Sequence, residues 1–210
     1  MKKKLRIISS IIFIIFCFSA CYHKKGTSNF QNREQKEFSS NEQKKIDEGY
    51  ILGDYHFYFM NFQKKEPVVI KDILKNFDTT ILKNFETYQN KIDKSKKVNM
   101  IPFRIQYNPT NETVKTNYFL INNTNNIISS IYIEGWPQLK NIEIVEPTII
   151  SFSDEEFLKL PSKGVIAFSV TMSMPIKYEN ELKNNKVSDL SFDITDLKIN
   201  GEKVSNTNEN

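Results

Sequence analysis

Two histidines, two cysteines and one tryptophan are the rare residues of this 210-residue chain, and they are where chemistry is sought first. A nucleophilic triad needs a histidine within hydrogen-bond reach of an activated Ser or Cys. His23 lies in a polar stretch. His56 lies in the aromatic run Tyr55–Phe59 with no nucleophile motif beside it, and reads as a hydrogen-bonded strand histidine. Zinc takes several His, Cys or carboxylate ligands, a set this sequence does not gather. Acids cluster at Asp154-Glu155-Glu156 and at Asp189, Asp193 and Asp196. Paired acids serve glycosidases and oxygen clusters hold calcium, but neither run matches a calcium loop, and both read as solvated charge. No two of the six glycines are spaced to cradle a phosphate. The expectation is no catalytic residue, no metal and no cofactor. Trp136, between Gly135 and Pro137 at an expected strand end, has two readings. It caps the core, or it anchors a partner, since Trp concentrates in binding hot spots.

Charge narrows the partners. The chain holds 29 Lys and Arg against 25 Asp and Glu. Lys2, Lys3, Lys4 and Arg6 supply the whole excess, and loss of the first twenty residues leaves 25 basic against 25 acidic. A nucleic-acid binder needs a basic footprint to collect phosphates; none remains, so no nucleic-acid partner is expected.

That basic start precedes an apolar run, Ile7–Phe18, then Ser19, Ala20 and Cys21. From Ile7 to Cys21 is fifteen residues, short of the ~20 that cross a bilayer as a helix, and the pattern is that of a signal peptide. The quartet Phe18-Ser19-Ala20-Cys21 resembles the lipobox of bacterial lipoproteins, with Phe18 where that motif usually has Leu. The resemblance implies cleavage before Cys21 and attachment of palmitate-type acyl chains to its thiol. It also implies export and anchoring to a bacterial membrane, the cell membrane or the outer membrane, because two or more acyl chains hold a protein firmly where one is marginal. Cys17 would leave with the signal peptide, so no disulfide framework is expected.

The elements follow from patterning. Residues 21–48 carry only Tyr22, Phe30, Phe38 and Ile46 as large apolar side chains and read as a disordered tether, too polar to offset their ordering entropy. Gly49–Phe62 is crowded with aromatics and reads as a strand or hairpin turning at Gly53-Asp54, covered on both faces. From Pro67, the residues Ile70, Ile73, Leu74, Phe77, Ile81, Phe85, Tyr88 and Ile92 recur at helical spacing, predicting one amphipathic helix on a sheet. The segment ILKNF occurs twice, at 73–77 and 81–85. Eight residues fall ~80° out of phase on a regular helix, so the echo predicts no structural repeat.

Beyond Lys94–Lys97 the chain reads as strands: Ile101–Tyr107, Val114–Leu120, Ile127–Glu134 broken at Gly135-Trp136-Pro137, Ile142–Phe152, Val165–Met174 and Val187–Ile199. Asn200-Gly201 suits a tight hairpin turn. The domain plan is thus 1–20 signal peptide, 21–48 lipidated tether, 49–98 aromatic strand and helix, and 99–205 β-sandwich. Tyr118–Asn126, Ile131–Ile133 and Leu160–Gly164 before Ile166–Thr171 resemble bacterial immunoglobulin-like accessory domains, without a Cys…Trp…Cys pattern. The fold expected is mainly β, an immunoglobulin-like sandwich with one packed helix. The function expected is a non-catalytic binding or scaffolding lipoprotein of the cell envelope. Its partners would be membrane lipid, through Cys21, and an envelope protein or ligand. A solute-binding lipoprotein and a small envelope hydrolase are the rival readings.

Overall fold

The computed structural model describes residues 38–208 apart from 145. The expected signal peptide, Cys21 and the tether up to residue 37 lie outside the described residues. The last part of that tether is a helix instead, α1 (Ser40–Glu48). Ser39 and Glu42 form a reciprocal capping box, the Glu42 carboxylate accepting from the Ser39 N–H at 2.8 Å and the Ser39 hydroxyl from the Glu42 N–H at 3.3 Å. Ile46 is buried, so one apolar residue docks an otherwise polar helix. Gly49 ends it at φ +80°, where a Cβ would collide with the Phe57 carbonyl.

The aromatic stretch forms the expected hairpin, β1 (Tyr50–Leu52) and β2 (Tyr55–Phe57), turning at Gly53-Asp54. The Tyr58 N–H still donates to the Val165 carbonyl at 2.8 Å, after which the chain leaves the sheet and enters a short helix, α2 (Asn61–Lys64). The predicted amphipathic helix follows as α3 (Pro67–Asn76), a π-helical segment (Phe77–Leu82) and α4 (Lys83–Tyr88), closed by a 3-10 turn (Gln89–Lys91). The π segment overturns the expectation about the ILKNF echo. A π-bulge absorbs one residue, so eight residues advance the helix like seven, only ~20° short of two turns. Ile73, Phe77, Ile81 and Phe85 are all buried, and the two copies match position by position: buried, half-buried, exposed, half-buried, buried. Asn76 and Asn84 even make the same bond, each side-chain amide donating to the carbonyl four residues back, Asp72 at 3.0 Å and Thr80 at 2.6 Å.

The rest is mainly β, in two sheets. The strands are β3 (Val98–Asn108), β4 (Thr113–Asn122), β5 (Ile131–Gln138), β6 (Thr148–Phe152), β7 (Gly164–Ser173), β8 (Ser191–Ile199) and β9 (Glu202–Lys203). One sheet runs β1-β2-β7-β4-β3, with β2 parallel to β7, and the other runs β6-β5-β8-β9. Residues on both sides of position 98 thus share one sheet. Among the described residues no helix is long and apolar enough to cross a membrane.

Three layers result. On β4, Tyr118 and Leu120 point between the sheets, while Phe119 and Ile121 point toward the helices; on β7, Ile166 and Phe168 alternate with Val165 and Ala167 in the same way. The five-stranded sheet is therefore apolar on both faces, and Ile46, Ile70, Ile73, Phe77, Ile81 and Phe85 cover the outer one. A third, smaller cluster gathers Val114, Leu139, Ile142, Met174, Leu182 and Leu190 around α5 (Glu179–Asn184).

Four strand boundaries differ from expectation, the first being the start of β5, which comes at Ile131 after an isolated Ile128–Leu160 bridge and not at Ile127. Gly135-Trp136-Pro137 does not break β5, which continues to Gln138. Any Cβ at Gly135 would press on the Phe192 ring and the Asp193 carbonyl, and the register shifts there between β5 and β8, leaving Thr195 as an extra residue. Pro137 lies past the end of β6, where one flanking strand is missing and a lost N–H is tolerated. Ile142 belongs to a turn closed by a Leu139–Ile142 bridge, and β6 starts only at Thr148. Val187–Asp189 is a 3-10 turn leading into β8. The predicted hairpin turn holds: Asn200 and Gly201 both have positive φ, 54° and 85°.

Candidate functional site

Strand alternation builds the site. In β5, Ile131, Ile133, Gly135 and Pro137 are buried, so Tyr132, Glu134, Trp136 and Gln138 face outward from the four-stranded sheet. Trp136 is half-buried and joins none of the three apolar clusters. Its cross-strand neighbour on β8 is Asp193. Glu134 lies opposite Asp196 on one side and Ile149 on the other, and Tyr132 lies opposite Lys198 and Ser151.

These side chains form a linked surface. The Tyr132 hydroxyl donates to a Glu134 carboxylate oxygen at 3.2 Å, and the Lys198 ammonium sits 5.0 Å above the Tyr132 ring. Glu134 and Asp196, directly opposite, would repel each other. Lys203, brought across by the β8–β9 turn, meets the Asp196 carboxylate at 2.9 Å and offsets that repulsion. This pairing holds the Asp196 carboxyl below its usual range and the Lys203 ammonium above its own. Burial, the hydrogen-bonded Glu134 carboxylate and nearby Asp196 raise the Tyr132 phenol. Aromatic rings, carboxylates and ammonium groups thus lie side by side on an open sheet, an arrangement suited to contact more than to enclosing a substrate.

The other residues singled out by sequence stand elsewhere. His56 is in the five-stranded sheet; its Nε2–H donates to the Glu48 carbonyl at the end of α1 (2.7 Å), and its ring stacks on Tyr58 at 4.5 Å. Glu156 accepts from the Ser153 N–H and hydroxyl, at 3.1 and 3.0 Å, holding the turn before Phe157. Asp189 sits in the turn before β8, apart from the outward-facing Asp193 and Asp196. Among the described residues no three His, Cys, Asp or Glu side chains gather to hold a metal. Tyr132, Glu134 and Lys203 were missed by sequence reasoning. The period-two spacing of Tyr132, Glu134 and Trp136 was a usable signal for the first two. For Lys203 the signal was the Asn200-Gly201 turn, which returns it beside Lys198, but not the pairing of β8 with β5 that brings Glu134 to the same place. Comparison with protein-family profiles, curated proteins and solved structures finds no match to this chain.

Proposed function

We propose that this chain is a lipoprotein of the bacterial cell envelope, anchored through acylated Cys21, whose folded part is a non-catalytic binding or scaffolding module. The observation that carries the binding role is the outward-facing Tyr132-Glu134-Trp136 row, with Trp136 outside every apolar cluster. A half-buried Trp ringed by polar groups is the usual composition of a contact hot spot. The finer fold reading belongs to the same proposal. Two face-packed sheets support an immunoglobulin-like sandwich, to which the parallel β2–β7 pair and the helical layer would be additions. The anchor rests on the lipobox resemblance alone.

The test has two arms. Cys21→Ser abolishes fatty-acid labelling and releases the protein from membranes; unchanged labelling overturns the anchor. Trp136→Ala weakens crosslinked capture of a partner from membranes by about 2 kcal/mol, the hot-spot range, while the folded state loses only about 1 kcal/mol. Undiminished capture overturns the contact role, and a hydrolase activity lost in His56→Ala overturns the non-catalytic one.

A further inference from the structure

Two strand edges, one from each sheet, face each other across a groove of about 750 Å³. On one side is β3, whose other neighbour is β4; on the other is β8, whose other neighbour is β5. β9 covers β8 only at Lys198 and Ile199, so Ser191–Asp196 carries no strand on its groove side. An open edge offers alternate N–H and C=O groups in need of partners. Its apolar lining includes Val98, Met100, Phe192 and Ile194, and lysines and aspartates, Asp193 among them, stand at its rim.

The chain itself fills one end with extended polypeptide. The Val204 N–H donates to the Leu197 carbonyl at 2.9 Å, and the segment then crosses to β3. There the Lys97 N–H donates to the Asn206 carbonyl (3.1 Å), and the Asn208 N–H to the Ser95 carbonyl (2.7 Å). The Asn206 side chain imitates a strand, accepting from the Val98 N–H at 2.9 Å and donating to its carbonyl at 3.1 Å. One stretch of this groove thus already pairs with an extended segment. The remainder presents the same two edges.

They are not equally open. β3 carries Pro102 and a bulge between Pro102 and Arg104, both of which interrupt pairing. On β8, Ser191–Ile194 precedes the Thr195 bulge and keeps a regular register with β5. We infer that this edge binds an extended peptide of a partner protein, which adds as a strand beside Ser191–Ile194. Alternate side chains of the added strand point to opposite faces. Those facing inward meet Phe192 and Ile194 and are apolar, while the one beside outward-facing Asp193 is basic, by charge complementarity. Asp193 borders both this edge and the outer face beside Trp136, so Trp136→Ala, which leaves the backbone groups of the edge in place, is the variant that separates this site from the Trp136 reading.

The probe is an acetylated, amidated hexapeptide alternating Lys and Val, added to the full 210-residue chain in detergent micelles. Saturating peptide slows amide hydrogen exchange at the Ser191–Ile194 edge at least tenfold. Asp193→Lys weakens the peptide several-fold with the melting curve unchanged, and Trp136→Ala leaves it bound. The same peptide N-methylated at every residue retains its charge and apolar side chains but lacks the backbone N–H donors that strand pairing needs, and it gives no protection. Equal binding of the N-methylated peptide would mean an apolar or ionic ligand site and overturns strand addition. Protection confined to Tyr132–Gln138, or concentration-dependent protection of the edge without peptide (pairing with a second copy), overturns it as well.

Discussion

The two sheets bury their residues differently. The five-stranded sheet is sealed on both faces, by the helices and by its partner sheet, and its strands carry apolar side chains at consecutive positions, as in Phe119-Leu120-Ile121 and Val165-Ile166-Ala167-Phe168. The four-stranded sheet is sealed on one face, and β5 alternates strictly. A face that must exclude water is chosen for volume and packing. A face left open carries whatever the surface is for, and there the rings and charges collect.

The sharpest way to break this contrast is a pair of aromatic truncations. Phe168→Ala removes a fully buried ring between the sheets that meets Phe152 edge-on at 5.4 Å. It should cost about 3–5 kcal/mol, read as a lower midpoint in denaturant at unchanged slope. Trp136→Ala on the open face should cost about 1 kcal/mol. Equal losses would mean that the outer face is core.

A smaller loss is expected where the sealed sheet runs out of strands. Past the end of β2, the fully buried Gln63 accepts from the Met60 N–H at 2.9 Å and donates to the Ala167 carbonyl of β7 at 3.0 Å. Gln63→Met keeps the volume but orphans both backbone groups, at about 2 kcal/mol. Thermal melting checks it, and a neutral result would mean that water replaces the amide.

The helical layer gives a comparison within itself. Deleting Thr79 from the π segment returns the helix to regular α geometry and keeps Ile73, Phe77, Ile81 and Phe85 on one face, so folding survives. Deleting Glu86 in α4 rotates the next turn away from the sheet instead, and the variant should be measurably less stable. Chemical denaturation of both deletions decides whether the extra residue is what aligns the echo.

The smallest effects are electrostatic and belong to exposed groups. Asp196 and Glu42 both have carboxyl pKa values held below the usual range in the folded chain, by Lys203 and by the Ser39 hydrogen bonds. Their contribution is present above the usual carboxylate range and is lost as pH falls through their lowered values. Lys203, raised by Asp196, contributes below the usual ammonium range and loses that contribution as pH rises through its higher value. The β9 hairpin should therefore be tightest between the two ranges. Asp196→Asn should remove that dependence from the hydrogen exchange of Glu202 and Lys203, leaving the sealed sheet unchanged.

Much of this was legible locally. Period-two patterns marked β3 and β4 and a period-3.6 pattern the long helix, because the burial that selects those residues repeats with the backbone. Asn200-Gly201 and Gly53-Asp54 marked their turns, since a residue at positive φ is readable from type alone. The start of α1 was legible as Ser39-x-x-Glu42, a signal that a reading from polar composition alone passes over.

What the sequence determined by itself is the centre of the long strands β3, β4, β7 and β8 and the long amphipathic helix, because local spacing and composition carry those elements. Only the tertiary structure decided that β2 joins β7 in parallel, that a π segment brings two copies of ILKNF into phase, and that β5 runs on through Gly135 and Pro137. Each of these depends on a partner distant in the chain: an edge to pair with, a sheet for the helix to follow, a bulge at Thr195 to absorb the register. Residues 134, 196 and 203 became one ionic surface for the same reason, since strand pairing, and not sequence distance, sets which charges meet.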